Sequence, residues 1–428
     1  MDPVLIAFGC FALVVLLIGL RVPLSVALGS VGLIGFAMLR SPTAALSLLR
    51  DVPVAFVAKW ELSAIPIFLF VGGILEQARS IELLFAAARR ILRKVPANLA
   101  VAVNFVSVLF AAACGSSVAA SATLTRIAVP PMLAAGYDPG LATGVVASAG
   151  TIAALIPPSI VIVIYGIYAE VSILDLMVAG IVPGLLTAVA YTAMIMLRVW
   201  IRPDLAPKQT FEAVSSTPLT WAQALPAMAV TLGLFGSMMT GLATPTEAGA
   251  IGAAAALMIG LGARRLSFPG ILAAASDAAR TTSQLVFVGL GAMIFSRFMA
   301  LGGIGPWLAQ TLIGSEIGAA PFLLIVVAIF LFLGAFFDSL GALLISIPVF
   351  LPVVTQLHID PVLFGIFVVK LIEVGMLTPP IGFNVFVVSS IMTGKVPMSQ
   401  IFRGAAWFVA CDLVVLFLMA THIVLARS

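Results

Sequence analysis

Two short stretches of this 428-residue chain gather the groups that could do chemistry. LIPPSIVIVIYG (Leu155 to Gly166) and TPPIGFN (Thr378 to Asn384) each place adjacent prolines, Pro157-Pro158 and Pro379-Pro380, inside apolar runs otherwise fit to cross a membrane as helices. Proline has no N–H and clashes with the carbonyl one turn back, so each pair strips carbonyl oxygens of their intrahelical donors. In hydrocarbon such a break survives only against protein or water. The freed oxygens suit a hard cation, and the half-helix that restarts beyond the break has a partial positive charge at its N-terminus that favours an anion. Thr378, Gly382 and Asn384 add a hydroxyl, a permissive backbone and an amide to the second. One proline pair reads as an ordinary kink. Two in register read as a device.

The register is visible when the chain is slid on itself by 222 residues. Pro130, Pro139, Pro157 and Pro158 then fall on Pro352, Pro361, Pro379 and Pro380, and Ser117, Ala120 and Asp138 on Ser339, Ala342 and Asp360. A shared apolar composition would scatter alanine and leucine matches without aligning the prolines, so the chain reads as two related halves, residues 1–214 and 215–428. The other end of each repeat is a small or polar stretch, ACGSSVAASAT (Ala113 to Thr123) and GAFFDSLGA (Gly334 to Ala342). Each ends an apolar run too short or irregular for a clean crossing and fits the tip of a re-entrant hairpin, although small residues also serve helix packing. Asp338 favours the tip, since a carboxylate following FLLIVVAIFLFLGAFF needs a cation, a donor or water. Lys370 and Glu373, spaced by three on one helix face, are near enough to pair and so reduce the cost of burying either charge. Alternatively Lys370 faces the cavity, holds an anionic substrate, and is positioned by Glu373.

These elements sit in a membrane protein. Hydrophobic residues make up 62% of the chain and charged residues 9%, with a mean hydropathy of +1.25. At about 20 apolar residues per crossing there is room for roughly ten to twelve spans. The fold class is therefore all-α and polytopic, and PVLIAFGCFALVVLLIGL at the start reads as a retained span. The net charge of +4 belongs to loop clusters at Arg79 to Lys94, Arg198 to Lys208 and Arg264-Arg265, as the positive-inside rule places them, and calls for no nucleic-acid partner. The TPTEA turn (Thr244 to Ala248) then lies near the outer face. The register counterpart of the first cluster, Leu301 to Glu316, has no positive charge, so the halves are expected to be inverted relative to each other; Arg427 at the end of the chain is the one contrary sign. Three scattered cysteines and two histidines offer neither a disulfide framework nor a metal cluster, and the serines have no histidine in their motifs, so enzyme chemistry is not expected.

GSSVAASATL with GYDPGLATGVVASAGTIAALIPPSIVIVIYG, ATPTEAGAIGAA, and GAFFDSLGALLISIPVFLPV with HIDPVLFGIFVVKLIEVGMLTPPIGFNVFV together resemble the large membrane subunit, M or DctM-like, of tripartite ATP-independent periplasmic (TRAP) transporters. Ala120 departs from the pattern, where many members have a short acidic residue. The resemblance implies an elevator-type, sodium-coupled importer of a small carboxylate in the bacterial inner membrane, with no cofactor beyond sodium. It implies two re-entrant hairpins, a small membrane Q subunit and a periplasmic substrate-binding P protein. Carried onto this chain, it places one sodium ion at Ser116, Ser117 and the carbonyls of Pro157, Pro158 and Ser159, and another at Asp338, Ser339 and the carbonyls from Thr378 through Pro379 to Gly382. Gly115, Ser116, Asn384 and Lys370 are the expected substrate contacts. A stand-alone sodium/anion symporter and a passive channel with two re-entrant loops are the alternatives.

Overall fold

The computed structural model describes residues 2–207, 225–314 and 318–426, all of them helix, turn or connection with no strand. The boundary between residues 214 and 215, Lys208, Glu316 and Arg427 lie outside the described residues. The first half supplies α1 (Pro3–Gly19), α2 (Leu24–Leu39), α3 (Pro42–Val57), α4 (Ala64–Gln77), α5 (Ser80–Ile91), α6 (Asn98–Cys114), α7 (Ser117–Ala134), α8 (Pro139–Ile152), α9 (Ile160–Ala169) and α10 (Ile173–Ile201). The second supplies α11 (Leu225–Met239), α12 (Pro245–Gly262), α13 (Phe268–Gly302), α14 (Ile304–Gly314), α15 (Ala319–Phe336), α16 (Ser339–Gln356), α17 (Pro361–Gly375), α18 (Phe383–Ile391) and α19 (Met398–Ala426).

Adding 222 to the bounds of α7 gives 339 and 356, the bounds of α16, and the same shift carries α1, α2, α5, α6, α8, α9 and α10 onto α11, α12, α14, α15, α17, α18 and α19 to within a few residues. Only α3 and α4 depart, because α13 runs unbroken through both of their counterpart positions. The register of the proline motifs is therefore shared by the helix bounds of most of the described elements. The halves also interlock: α2 and α4 pack on α13, and α4 on α12. Small residues set these distances, as in membrane bundles. A Cβ on Gly32 of α2 would lie 2.8 Å from the backbone of Phe295, and one on Gly144 of α8 would lie 2.6 Å from that of Gly404.

Where equivalent helices touch, they run antiparallel. Along α10 and α19, the Cys411 thiol faces the Ala190 carbonyl, the rings of Tyr191 and Phe408 are 4.9 Å apart, and the Arg198 guanidinium lies 4.8 Å over Trp407. An antiparallel pair of equivalent helices is the contact that halves inverted relative to each other, as the loop charges predict, would make.

Among the described residues, seven helices are long and apolar enough to cross a membrane unaided. This is fewer than ten to twelve because several further apolar helices, α1, α2 and α11 and the helices α8 and α9 flanking the first break among them, are only 10–17 residues long. The TPTEA residues start α12 through a capping box. Thr244 accepts the Glu247 amide and Glu247 accepts the Thr244 amide.

Candidate functional site: two hairpin tips and two broken helices around Glu373

The first tip is the turn between α6 and α7. Gly115 takes φ +62°, a conformation costly for any residue with a Cβ, and a Cβ there would lie 3.0 Å from the Pro158 carbonyl oxygen. Glycine thus lets the tip touch the break. Ser116 caps α7, its hydroxyl accepting the Ala119 amide. The second tip has no glycine at the equivalent position; it turns at Phe337, and Asp338 caps α16 by accepting the Gly341 amide at 3.1 Å. Asp338 is only partly buried. Its carboxylate therefore has a structural partner at the helix start in addition to any ion.

Each break is tied to its own hairpin by the same backbone donor. The Ile160 amide donates to the Gly115 carbonyl at 3.3 Å, and Gly382, which is Ile160 shifted by 222, donates to the Ala335 carbonyl at 3.3 Å. In the first break the amides that would serve carbonyls one turn back are directed elsewhere, Ile160 to the tip and Ile162 to the Ser159 hydroxyl at 3.4 Å. In the second, Gly382 takes φ +57°, the Thr378 hydroxyl donates to the Gly375 carbonyl at 2.7 Å, and the Asn384 amide N–H donates to the Met376 carbonyl at 3.2 Å. Both Pro–Pro bonds are cis. The breaks differ in environment: Pro157, Pro158 and Ser159 are buried, whereas Pro379 and Pro380 are exposed.

The two tips meet at Glu373. The hydroxyls of Ser117 and Ser339, equivalent residues of the two halves, both donate to its Oε1, at 3.1 and 2.9 Å. Glu373 is 0% exposed, and its Oε2 has no protein partner. The Ser339 hydroxyl also lies 2.9 Å from the Met376 sulfur. The Asn384 side chain is 0% exposed with neither amide atom paired. A buried carboxylate oxygen and a buried amide, both unspent, are costly unless something completes them. A serine whose O–H donates a hydrogen bond to Glu373 still has oxygen lone pairs to offer a cation.

Lys370 departs from the sequence expectation. It does not pair with Glu373. Its ammonium lies 2.5 Å from Asp412 Oδ1 on α19, with both side chains at 0% exposure. Tyr191 of α10 donates to the other Asp412 oxygen at 2.7 Å, and the Thr151 hydroxyl stands 3.4 Å from the Tyr191 oxygen. Spacing of three placed Lys370 and Glu373 near each other on α17, but the long lysine side chain turns toward α19 while Glu373 turns to the tips. Buried against Asp412, the ammonium is not presented to a cavity at the tips.

A profile of the family described as "Tripartite ATP-independent periplasmic transporter, DctM component" matches residues 11–425. The chain belongs to the DctM family. Among curated DctM-like relatives, the isethionate TRAP transporter permease protein DctMQ of Oleidesulfovibrio alaskensis is 33% identical over 92% of this chain, which spans only 61% of that longer protein. The C4-dicarboxylate TRAP transporter large permease protein DctM of Pseudomonas aeruginosa is 32% identical over 85% of this chain and 84% of its own length. Among solved structures, the Alcanivorax borkumensis YdaH transporter, described as having an unusual topology, aligns over 99% of this chain and 98% of its own with a TM-score of 0.66. At 16% identity that likeness concerns the fold alone. DctM components are transporter permease subunits, so this chain is not read as an enzyme.

Proposed function

We propose that this DctM-family subunit performs sodium-coupled import of a small carboxylate in the bacterial inner membrane, assembled with a small Q-type membrane subunit and supplied by a periplasmic binding protein. One sodium ion would be held by Ser116, Ser117 and the carbonyls from Pro157 to Ser159, the other by Asp338, Ser339 and the carbonyls from Thr378 to Gly382. Between them, the N-termini of α9 and α18 with Gly115, Ser116 and Asn384 would hold the anion. The observation that carries the reading is the convergence of both tip hydroxyls on one buried carboxylate between two broken helices. Bare sodium needs several oxygens in place of its water, and each break offers freed carbonyls beside a hydroxyl. Two bound cations then offset the charge of an entering carboxylate, which couples anion to sodium. The tips and breaks, packed together, would travel as one body against α2, α4, α12 and α13, an elevator motion. The named substrates of the relatives, a C4-dicarboxylate and isethionate, are both small anions.

The test is uptake into proteoliposomes containing the chain, its small subunit and its binding protein, with the sodium gradient varied. Ser117→Ala and Asp338→Ala should each raise the sodium concentration needed for half-maximal uptake. Sodium curves that stay where they were in both variants, at normal expression, refute the two sites; uptake indifferent to sodium in the unmodified protein refutes the coupling itself.

A further inference from the structure

The end of the molecule where α10 finishes carries a net positive charge. Arg198, Arg202, Lys395 and Arg403 gather there with Asp138 and Asp204, whereas Glu170, Asp175 and Asp360 stand at the opposite ends of these helices. At the basic end a cavity of about 370 Å³ opens between the start of α8, the end of α10 and the start of α19, lined by Asp138, Arg198, Gln400, Arg403 and Trp407. Arg198 stacks over the Trp407 ring, and its Nη1 is buried with no protein acceptor. The one acid in the lining, Asp138, is engaged as the cap of α8, accepting the Leu141 amide at 2.8 Å. Among the described residues the ion pair within 4.0 Å is Lys370–Asp412, so Asp138 neutralises neither arginine at contact distance. Two guanidiniums and the N-termini of α8 and α19 thus face a cavity with a net positive charge.

This cavity is separate from the transport site. Gly140 of its lining stands at the start of α8, whose other end at Ile152, twelve residues or about 18 Å along the helix axis, leads into the first break. Its surroundings are those of a membrane interface. Trp200 is 80% exposed and Trp407 52%, and Leu197 and Ile201 present apolar surface on the same stretch of α10.

We propose that the cavity binds the phosphate headgroup of an anionic phospholipid from the leaflet at this end. The forks of Arg198 and Arg403 engage the phosphate oxygens, and the acyl chains lie along Leu197 and Ile201. Planar guanidinium forks match phosphate geometry better than a point charge does, and basic pockets between membrane helices favour anionic headgroups. Because α8 and α10 come from one half and α19 from the other, the lipid would fasten the halves together away from the site that transports.

The experiment measures binding of phosphatidylglycerol to the detergent-purified chain by native mass spectrometry, with phosphatidylcholine and inorganic phosphate as comparisons. Arg198→Gln with Arg403→Gln should weaken phosphatidylglycerol binding about thirtyfold, and Arg403→Gln alone, at an exposed position, about fivefold. Phosphatidylcholine should bind no better to the unmodified chain than to the double variant, and inorganic phosphate at matched concentration should not displace the lipid. Unchanged phosphatidylglycerol binding in the Arg403→Gln chain overturns the proposal even where the double variant fails to fold. Equal affinity for phosphatidylcholine, or displacement by inorganic phosphate, overturns it as well, the latter by assigning the cavity to a free anion.

Discussion

Removing one partner of the Lys370–Asp412 pair should cost far more than removing both. Both side chains are at 0% exposure, so either one left alone is an uncompensated charge inside the bundle. Breaking a buried pair in this way costs about 3–5 kcal/mol, whereas replacing both partners by neutral groups of similar size is often neutral or stabilising. Asp412→Asn is the better single change, because the amide oxygen still accepts from Tyr191 and the loss reports on charge alone. Lys370→Met retains most of the lysine's apolar stem. Unfolding of the detergent-purified chain by titration with a denaturing detergent, followed by tryptophan fluorescence, gives the three free energies of the cycle. Each single variant should fall by about 3–5 kcal/mol, and the double variant should be more stable than either. A companion double variant, Lys370→Met with Glu373→Gln, should show no rescue, since Glu373 is bonded to the tips and not to the ammonium. Rescue by Glu373→Gln in place of Asp412→Asn, or an Asp412→Asn cost within 0.5 kcal/mol (a flat surface-like response, roughly), would refute the assignment of the pair.

Other outcomes follow from the same geometry. Glu373→Leu should flatten the sodium dependence of uptake from cooperative toward hyperbolic, because the two tips lose their common acceptor; a Hill coefficient equal to the unmodified protein's would contradict this. Gly115→Ala should abolish transport and cost about 1–2 kcal/mol for the left-handed backbone alone, with the Pro158 contact added, while Gly303→Ala, at φ +69° with open space around it, should bear the backbone cost and leave transport intact. Uptake assays on both variants, matched for expression, decide it. A cysteine at position 94 should resist membrane-impermeant thiol reagents applied from outside while one at position 310 reacts; the reverse pattern would contradict the proposed sidedness.

Much of this architecture was legible because proline constrains the backbone without regard to context. Pro157-Pro158 and Pro379-Pro380 had to be breaks, and their common register, which the helix bounds of most of the described elements share, exposed the duplication. Small residues at Gly115 and the acid at Asp338 marked the tips for similar local reasons. The charged core was read less well. Spacing along α17 put Lys370 beside Glu373, but which way each side chain turns depends on α19, α10 and the two tips, none of them local. Asp412 was open to the argument applied to Asp338, as a lone carboxylate in the apolar stretch AAWFVACDLVVLFLMA, and that signal pointed to a buried partner. Nothing local could join Glu373 to Ser117, 256 residues away. That contact exists only because the halves fold back on each other.

The position of Glu373 bears on why the two halves share one chain. Its Oε1 is within hydrogen-bond reach of Ser117 and Ser339 alike, residues at equivalent positions of the two halves, so an axis relating the halves by a half-turn would pass close to this oxygen. An atom on such an axis has no room for a copy of itself. Two identical halves assembled as a homodimer would bring two of these carboxylates into mutual contact, like charge on like charge in a dry interior. In the fused chain the equivalent position is Thr151, and Ser148 and Ala190 stand where the other half has Lys370 and Asp412. Fusion lets each half mutate independently, so the shared centre can hold a single acid. Among the described residues the three buried charges, Lys370, Glu373 and Asp412, all belong to the second half, leaving the first to supply hydroxyls: a symmetric scaffold with an asymmetric occupant, which a dimer of like chains could not encode.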